Sequence, residues 1–172
     1  MGEYSFKKDI KASRINEEII KKFFESNGFD NSKVVKSEHI DNKDGDWSFE
    51  FDNKTKLVIE CKEDSYCKKS NNLAIEYECR GGPSGILTTK SDFYVITAHC
   101  SDGFVRGYMI PVKTIREMID GKKYWKNHEN GGDRGSFTKN FLFNRQTIEE
   151  RSRLLFAWDE KFYQSEKVAA KQ

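Results

Sequence analysis

Proline is scarce in this 172-residue chain, with only Pro83 and Pro111. No repeat or low-complexity stretch interrupts it either, so Pro-rich linkers and repeat arrays are both excluded. Net charge is nearly absent: 30 lysines and arginines stand against 28 acids, leaving +2. Overall charge therefore announces no polyanionic partner, and a nucleic-acid surface must come from segregation of lysines from carboxylates. Long apolar runs are missing, so no membrane span is expected. The opening MGEYSFKKDI lacks the hydrophobic stretch of a secretory signal. The four cysteines, Cys61, Cys67, Cys79 and Cys100, form no C-x-x-C pair. Reduced thiols in a cytoplasmic protein are expected ahead of a zinc site.

Aromatic residues, in contrast, make up 13% of the chain and charged residues 34%. That mixture describes a folded domain with a highly polar surface and argues against disorder. The length suits one domain, residues 1–172, with enough chain for a sizeable core.

The stretch from Gly45 to Lys62, GDWSFEFDNKTKLVIECK, is the most informative. It reads as two antiparallel strands joined by a tight turn at Asp52–Thr55. Trp47, Phe49 and Phe51 alternate with polar residues in the first strand, and Leu57, Ile59 and Cys61 do so in the second. Pairing the apolar sets places Phe51 opposite Leu57, Phe49 opposite Ile59 and Trp47 opposite Cys61. In that register Asp46 lies beside Lys62 and Ser48 beside Glu60. Glu60 and Lys62 share a face, roughly 7 Å apart. Asp46, Glu60 and Lys62 are thus expected together, away from the apolar side.

Two carboxylates and an ammonium on one sheet face have a chemical use. Hard oxygen ligands hold Mg²⁺, which keeps several waters and favours phosphate partners. Such an ion activates water and neutralises charge on a phosphodiester, and a nearby lysine orients the water or stabilises the pentacovalent phosphate. The plain alternative is a solvated hairpin face.

The stretch resembles the PD-(D/E)XK nuclease superfamily: Asp46, then a hairpin, then Glu60-Cys61-Lys62. The phrase INEEIIKKFFESNGF, from Ile15 to Phe29, is also similar to the opening helix of archaeal Holliday-junction resolvases. Those enzymes carry a glutamate there as an additional metal-site group. Matched residue by residue, that glutamate falls on Asn16 and not on Glu17. Asn16 is then expected to hold a metal-bound water, or Glu17 to replace the glutamate by a small rotation. Favourable placement in a first helical turn is the alternative for the acids here. The resemblance implies an α/β fold with a restriction-endonuclease-like core, about residues 13–121, in which a central mixed β-sheet is flanked by helices. It implies a metal-dependent endonuclease acting on DNA, with Asp46 and Glu60 as ligands of Mg²⁺ (or Mn²⁺), the Cys61 carbonyl as a further ligand and Lys62 on the water. Such enzymes are commonly homodimers. Junction-resolving, restriction, homing and repair activities all fit. A nucleic-acid-binding module that does not cut and a small protein-interaction domain are the competing classes.

The rest of the chain supplies candidates around that centre. Residues 1–12 read as a loose lead-in, and Ser13 as the N-cap of a helix to Asn27, with Ile15, Ile19, Ile20, Phe23 and Phe24 as its apolar stripe. Val34–Ile40 reads as a strand with His39 as either a site residue or a hydrogen-bonded one, followed by a polar loop, 41–44. A polar loop carrying Lys68 and Lys69 follows the hairpin. LAIEYECR then alternates like a strand; joined to the sheet beside Glu60, it offers Glu76 as a third acid. Arg80-Gly81-Gly82-Pro83-Ser84-Gly85 is turn-rich, and its amides with Arg80, Ser84 and nearby Lys90 suit a phosphate backbone; no P-loop pattern occurs. Asp92–His99 reads as a central strand, Phe104–Pro111 as another and Val112–Gly121 as a helix. Tyr124 and Trp125 among lysines suit nucleic-acid contact, and NHENGGDRGS is a loop carrying Arg134. Phe137–Phe143 reads as the final strand, and about 147–164 as an amphipathic helix with Ile148, Leu155, Trp158 and Phe162 on one side.

Overall fold

A computed structural model describes the backbone of residues 2–42, 44–131 and 137–172, and side chains over 13–40, 44–129 and 137–172. The first helix, α1, spans Gly2–Asn27. It starts well before Ser13, which lies inside the helix and is not its N-cap. No proline and no internal glycine interrupts the stretch from Glu3 to Asn27, so the helix extends back through the expected lead-in. Ile19, Ile20 and Phe24 are fully buried on its inner face, each contributing about 1.5–3 kcal/mol of apolar burial.

Strand β1 spans Val34–Asn42, longer than the sequence suggests. The hairpin follows as β2, Gly45–Phe51, and β3, Lys56–Asp64. Its register differs from expectation: Trp47 faces Ile59 and Phe49 faces Leu57. The turn decides this. Lys54 N–H donates to the Phe51 carbonyl (2.8 Å), Phe51 N–H to the Thr55 carbonyl (2.9 Å), and Lys54 has φ +66°. Only Asp52, Asn53 and Lys54 remain outside the ladder, the compact three-residue loop with a left-handed last residue. The slip is even, so the faces survive. Continued by one residue, it sets Asp46 level with Glu60 and not with Lys62, and it places Ser48 opposite Val58.

The remaining elements are α2 (Cys67–Ser70), β4 (Asn72–Cys79), β5 (Gly82–Pro83), a single 3₁₀ turn (Gly85–Leu87), β6 (Phe93–His99) and β7 (Phe104–Pro111). Then come α3 (Val112–Asp120), β8 (Lys126–Gly131), β9 (Thr138–Asn144), α4 (Arg145–Glu149), β10 (Arg153–Asp159) and α5 (Glu160–Ala169). The chain is mixed α/β. A six-stranded sheet runs β1-β2-β3-β6-β7-β10, and an antiparallel four-stranded sheet runs β5-β4-β9-β8. Within the larger sheet β3 and β6 are parallel and the other pairs antiparallel.

Four further expectations are corrected. β4 is a strand, but it pairs with β9 in the second sheet and does not join β3. Part of the loop carrying Arg134 is strand β8. The single amphipathic helix at 147–164 is instead α4, β10 and the start of α5, so Phe137–Phe143 does not lie in the final strand. Phe156 and Trp158 stack at 4.0 Å on a period of two, and β10 closes the larger sheet against β7. Apolar residues at that spacing satisfy a strand as well as a helix.

The six-stranded sheet is covered on both faces. On one, α1 and α5 pack on Phe49, Ile59, Val95 and Met109. On the other, Leu73, Ile75 and Phe143 of the second sheet, with Ile115 and Met118 of α3, pack on Tyr94, Ile96 and Tyr108. Burial on both faces explains the near-continuous apolar run of β6. Among the described residues no helix is long and apolar enough to cross a membrane.

Candidate active site

The centre of interest lies where β2 begins and β3 runs on past it. Gly45 has φ +140°, and a Cβ there would fall 2.7 Å from both Val58 Cγ1 and Ser91 Oγ. Only glycine lets the chain come that close, and Asp46 is the next residue. Because β2–β3 pairing stops at Trp47, the Cys61 N–H is left for a side chain, and it donates to Asp46 Oδ2 at 2.6 Å. On β3, Lys62 Nζ lies 2.8 Å from Glu60 Oε1, and the Thr89 hydroxyl donates to Glu60 Oε2 at 3.3 Å.

Charge at this point is poorly compensated. Burial pushes the Asp46 carboxyl up to about 6; the Cys61 N–H opposes this, while Glu60 and Glu17 add to it. Lys62 behaves oppositely: burial disfavours its charge, but Glu60 outweighs that and holds the ammonium above its ordinary range. Lys62 is thus a fixed cation. Burial, with nearby Asp46, pushes the Cys61 thiol well up, so this residue offers backbone groups to the site and an inert side chain. None of the four cysteines is in a disulfide.

Lys62 forms a wall shared by two cavities. The first, about 650 Å³, is also lined by Asn16, Glu17, Asp46, Cys61 and Lys167. The second, about 430 Å³, is lined by Glu60, Glu76, Ser84 and Thr89 as well as Lys62. The structure therefore gathers Asn16, Glu17, Asp46, Cys61 and Lys62 on one side, and Glu60, Glu76 and Ser84 on the other. Among the described residues no group of three or more His, Cys, Asp or Glu side chains is placed to hold a metal ion. Asp46 and Glu60, expected together, thus line different cavities on either side of Lys62; two carboxylates are the number Mg²⁺ commonly takes while keeping its waters. Glu76 reaches the second cavity although its strand lies in the other sheet. The Ser84 hydroxyl donates to its carboxylate. Gly85, at φ +51°, permits this contact, since a Cβ there would sit 2.3 Å from the Glu76 carbonyl oxygen.

Asn16 is buried and its Oδ1 accepts from the Tyr163 hydroxyl at 3.1 Å. Glu17 Oε2 lies 3.1 Å from His39 Nε2, so His39 is hydrogen-bonded to a candidate site residue. Lys68 and Lys69 are exposed on α2, and Arg80 is exposed at φ +52° between β4 and β5. Lys90 is exposed and pairs with Asp44 at 2.7 Å. Trp125 is exposed. Arg134 lies outside the described residues.

Sequence reasoning missed the groups supplied by α5 and the far end of β6. Glu63 Oε1 receives His99 Nε2 (2.8 Å), Lys167 Nζ (2.6 Å) and the Tyr163 hydroxyl (3.0 Å). The second ring nitrogen of His99 faces Glu160 Oε2 at 3.1 Å. These donors hold the Glu63 carboxyl below its ordinary value despite its burial. The one signal for them was a histidine closing an otherwise apolar strand. No family model, no curated protein and no solved structure matches this chain.

Proposed function

We propose that the chain is a metal-dependent nuclease of the PD-(D/E)XK type, an endonuclease hydrolysing DNA phosphodiester bonds with Mg²⁺, or with Mn²⁺ in its place. One observation carries this reading: a half-buried Asp46 carboxyl, held by the Cys61 N–H and raised by Glu60 and Glu17, lines one cavity with Lys62 of β3. Excess negative charge on hard oxygen donors is what a divalent cation relieves. The larger sheet, with α1 before its hairpin, is then the restriction-endonuclease-like core.

Asp46, Glu60 and the Cys61 carbonyl are the groups that would hold the ion. When bound, the ion supplies Lewis-acid polarisation of the phosphate and a more acidic water. Lys62 cannot accept a proton while Glu60 holds its charge, so it acts by orienting the water and stabilising the pentacovalent phosphate. As the water oxygen bonds to phosphorus and gives up its proton to solvent, the phosphorus–oxygen bond to the leaving strand breaks and the leaving oxygen takes up a proton. Cutting both strands requires two such sites, hence a homodimer.

The test is incubation with plasmid, single-stranded and branched DNA, in Mg²⁺ or in EDTA. Metal-dependent cutting by the wild type, lost in Glu60→Ala and in Lys62→Ala, is the expected result. Cutting that survives both substitutions refutes the assignment. A second reading, a nucleic-acid-binding module that does not cut, has one observation in its favour: the Lys62 ammonium lies directly on Glu60, neutralising a candidate ligand. Binding to DNA with no cleavage in either metal selects it.

A further inference from the structure

The face of β3 that carries Glu60 and Lys62 continues to Asp64, one strand repeat or about 7 Å further. The facing wall makes the same step, from Glu76 to Ala74 in β4. Strand pairing extends that wall across the second sheet: Glu76 is opposite Asn140, Ala74 opposite Leu142, and His128 opposite Asn140. Ala74, His128, Asn140 and Leu142, with Tyr66 and Asp64, line a third cavity of about 360 Å³. It is one strand step along β3 and β4 from the cavity lined by Lys62, Glu60 and Glu76.

The chemistry here differs from that at Lys62. Leu142, Ala74 and the Tyr66 ring supply apolar surface. Asn140 is 8% exposed and makes no side-chain hydrogen bond among the described residues, so a donor and an acceptor stand free for an incoming ligand. Asp64 fixes the frame: its Oδ1 accepts from the Tyr66 and Cys67 N–H groups and its Oδ2 from Ala74 N–H. The Tyr66 side chain, 65% exposed on that fixed backbone, has Lys69 Nζ 6.0 Å from its ring centroid. An aromatic platform, an unsatisfied amide and an adjacent cation form a site for a flat, hydrogen-bonding ring attached to a phosphate.

We infer that this cavity receives one unpaired nucleobase of the substrate strand, stacked on Tyr66 and hydrogen-bonded by Asn140. The substrate is then a nucleic acid with an unpaired nucleotide beside the bond at Lys62. A base held in a duplex is paired and stacked and does not enter. This rests on the nuclease reading for its link to cleavage, while base binding stands by itself.

The probe is a single-stranded oligonucleotide carrying one 2-aminopurine, titrated with the full chain in EDTA alongside a duplex of the same sequence. Tighter single-strand binding with quenched fluorescence is expected. Tyr66→Ala should weaken it by about tenfold and abolish the quench, leaving duplex binding unchanged. Asn140→Leu, which breaks no bond within the described residues, should weaken it too while melting at the wild-type temperature. No single-strand binding, equal affinity for both forms, or wild-type binding by both variants overturns the inference. Cutting in Mg²⁺ is scored separately. Tyr66-dependent binding without cutting upholds the base pocket and removes the nuclease. Cutting of duplex with no single-strand preference does the reverse.

Discussion

Replacing Asp46 by asparagine should make the protein more stable at neutral pH while abolishing cleavage. Its carboxyl titrates near 6 in the fold, against an ordinary value of 3.8. The raised value means that folding resists the ionised form. Below pH 3.8 the carboxyl is protonated in both states and carries no penalty. The penalty grows as pH rises from 3.8 toward 6 and is complete above that. At about 1.4 kcal/mol per unit, the ceiling is about 3 kcal/mol. Asparagine still accepts the Cys61 N–H bond, and the charge-assisted part that it lacks is already inside that net shift. The expected gain is therefore up to about 3 kcal/mol, or about 9 °C in melting temperature for a chain of this size.

Thermal melts of both proteins from pH 4 to 8, in EDTA, measure this. The curves should coincide near pH 4 and diverge to their full separation above pH 6. Saturating Mg²⁺ should then raise the wild type and leave Asp46→Asn unmoved, closing the gap, since an ion at a hundred times its dissociation constant contributes about 2.7 kcal/mol. Destabilisation at neutral pH, or a gap that ignores pH, refutes the claim that Asp46 is held in a charge-rich, desolvated position. A pH-dependent gap that Mg²⁺ does not close leaves the electrostatics intact and removes the ion from this pocket.

The network behind the pocket yields two further expectations. His99 is buried with both ring nitrogens on carboxylates, so Glu63 and Glu160 raise its pKa against the effect of burial. Its contribution is present below the unfolded value near 6.5 and is lost as pH rises through the higher folded one. His99→Gln should therefore cost about 3 kcal/mol at pH 6 and clearly less at pH 9 by denaturant unfolding; an equal loss at both contradicts the imidazolium assignment. Tyr163→Phe keeps a fully buried ring and removes the hydroxyl shared by Asn16 and Glu63. It should cost about 1–2 kcal/mol in the same assay, and no loss would show that the hydroxyl bridges nothing.

The hairpin was legible because its information is local. Alternation within Gly45–Lys62 fixed which residues share a face, and that conclusion survived a wrong register because the slip was even. What alternation could not say was how many residues the turn would leave out. The left-handed Lys54 and the Asn53 side chain, which accepts from Thr55 N–H at 2.9 Å, settle that locally. The outcome moved Asp46 from the level of Lys62 to that of Glu60. Glu76 shows a different limit. Its strand was correctly read from period two, but no pattern in β4 states which sheet it will join, because its partner β9 lies more than sixty residues on.

The C-terminal third was misread for a reason that also concealed part of the site. Ile148, Leu155, Trp158 and Phe162 fit a helical stripe only when the intervening residues are ignored. Phe156 is the residue that decides, since it is buried, pairs at Gly107 and stacks on Trp158. A Cβ at Gly107 would lie 2.3 Å from the Phe156 ring, so β10 can dock only because β7 carries a glycine there. That complementarity spans about fifty residues of sequence and leaves no periodic trace in either segment. Once β10 closes the sheet, α5 packs against α1, and Tyr163 and Lys167 arrive at Asn16 and Glu63. The hairpin's charged cluster was readable from spacing, whereas its supporting network exists only through a tertiary contact made by a single small residue.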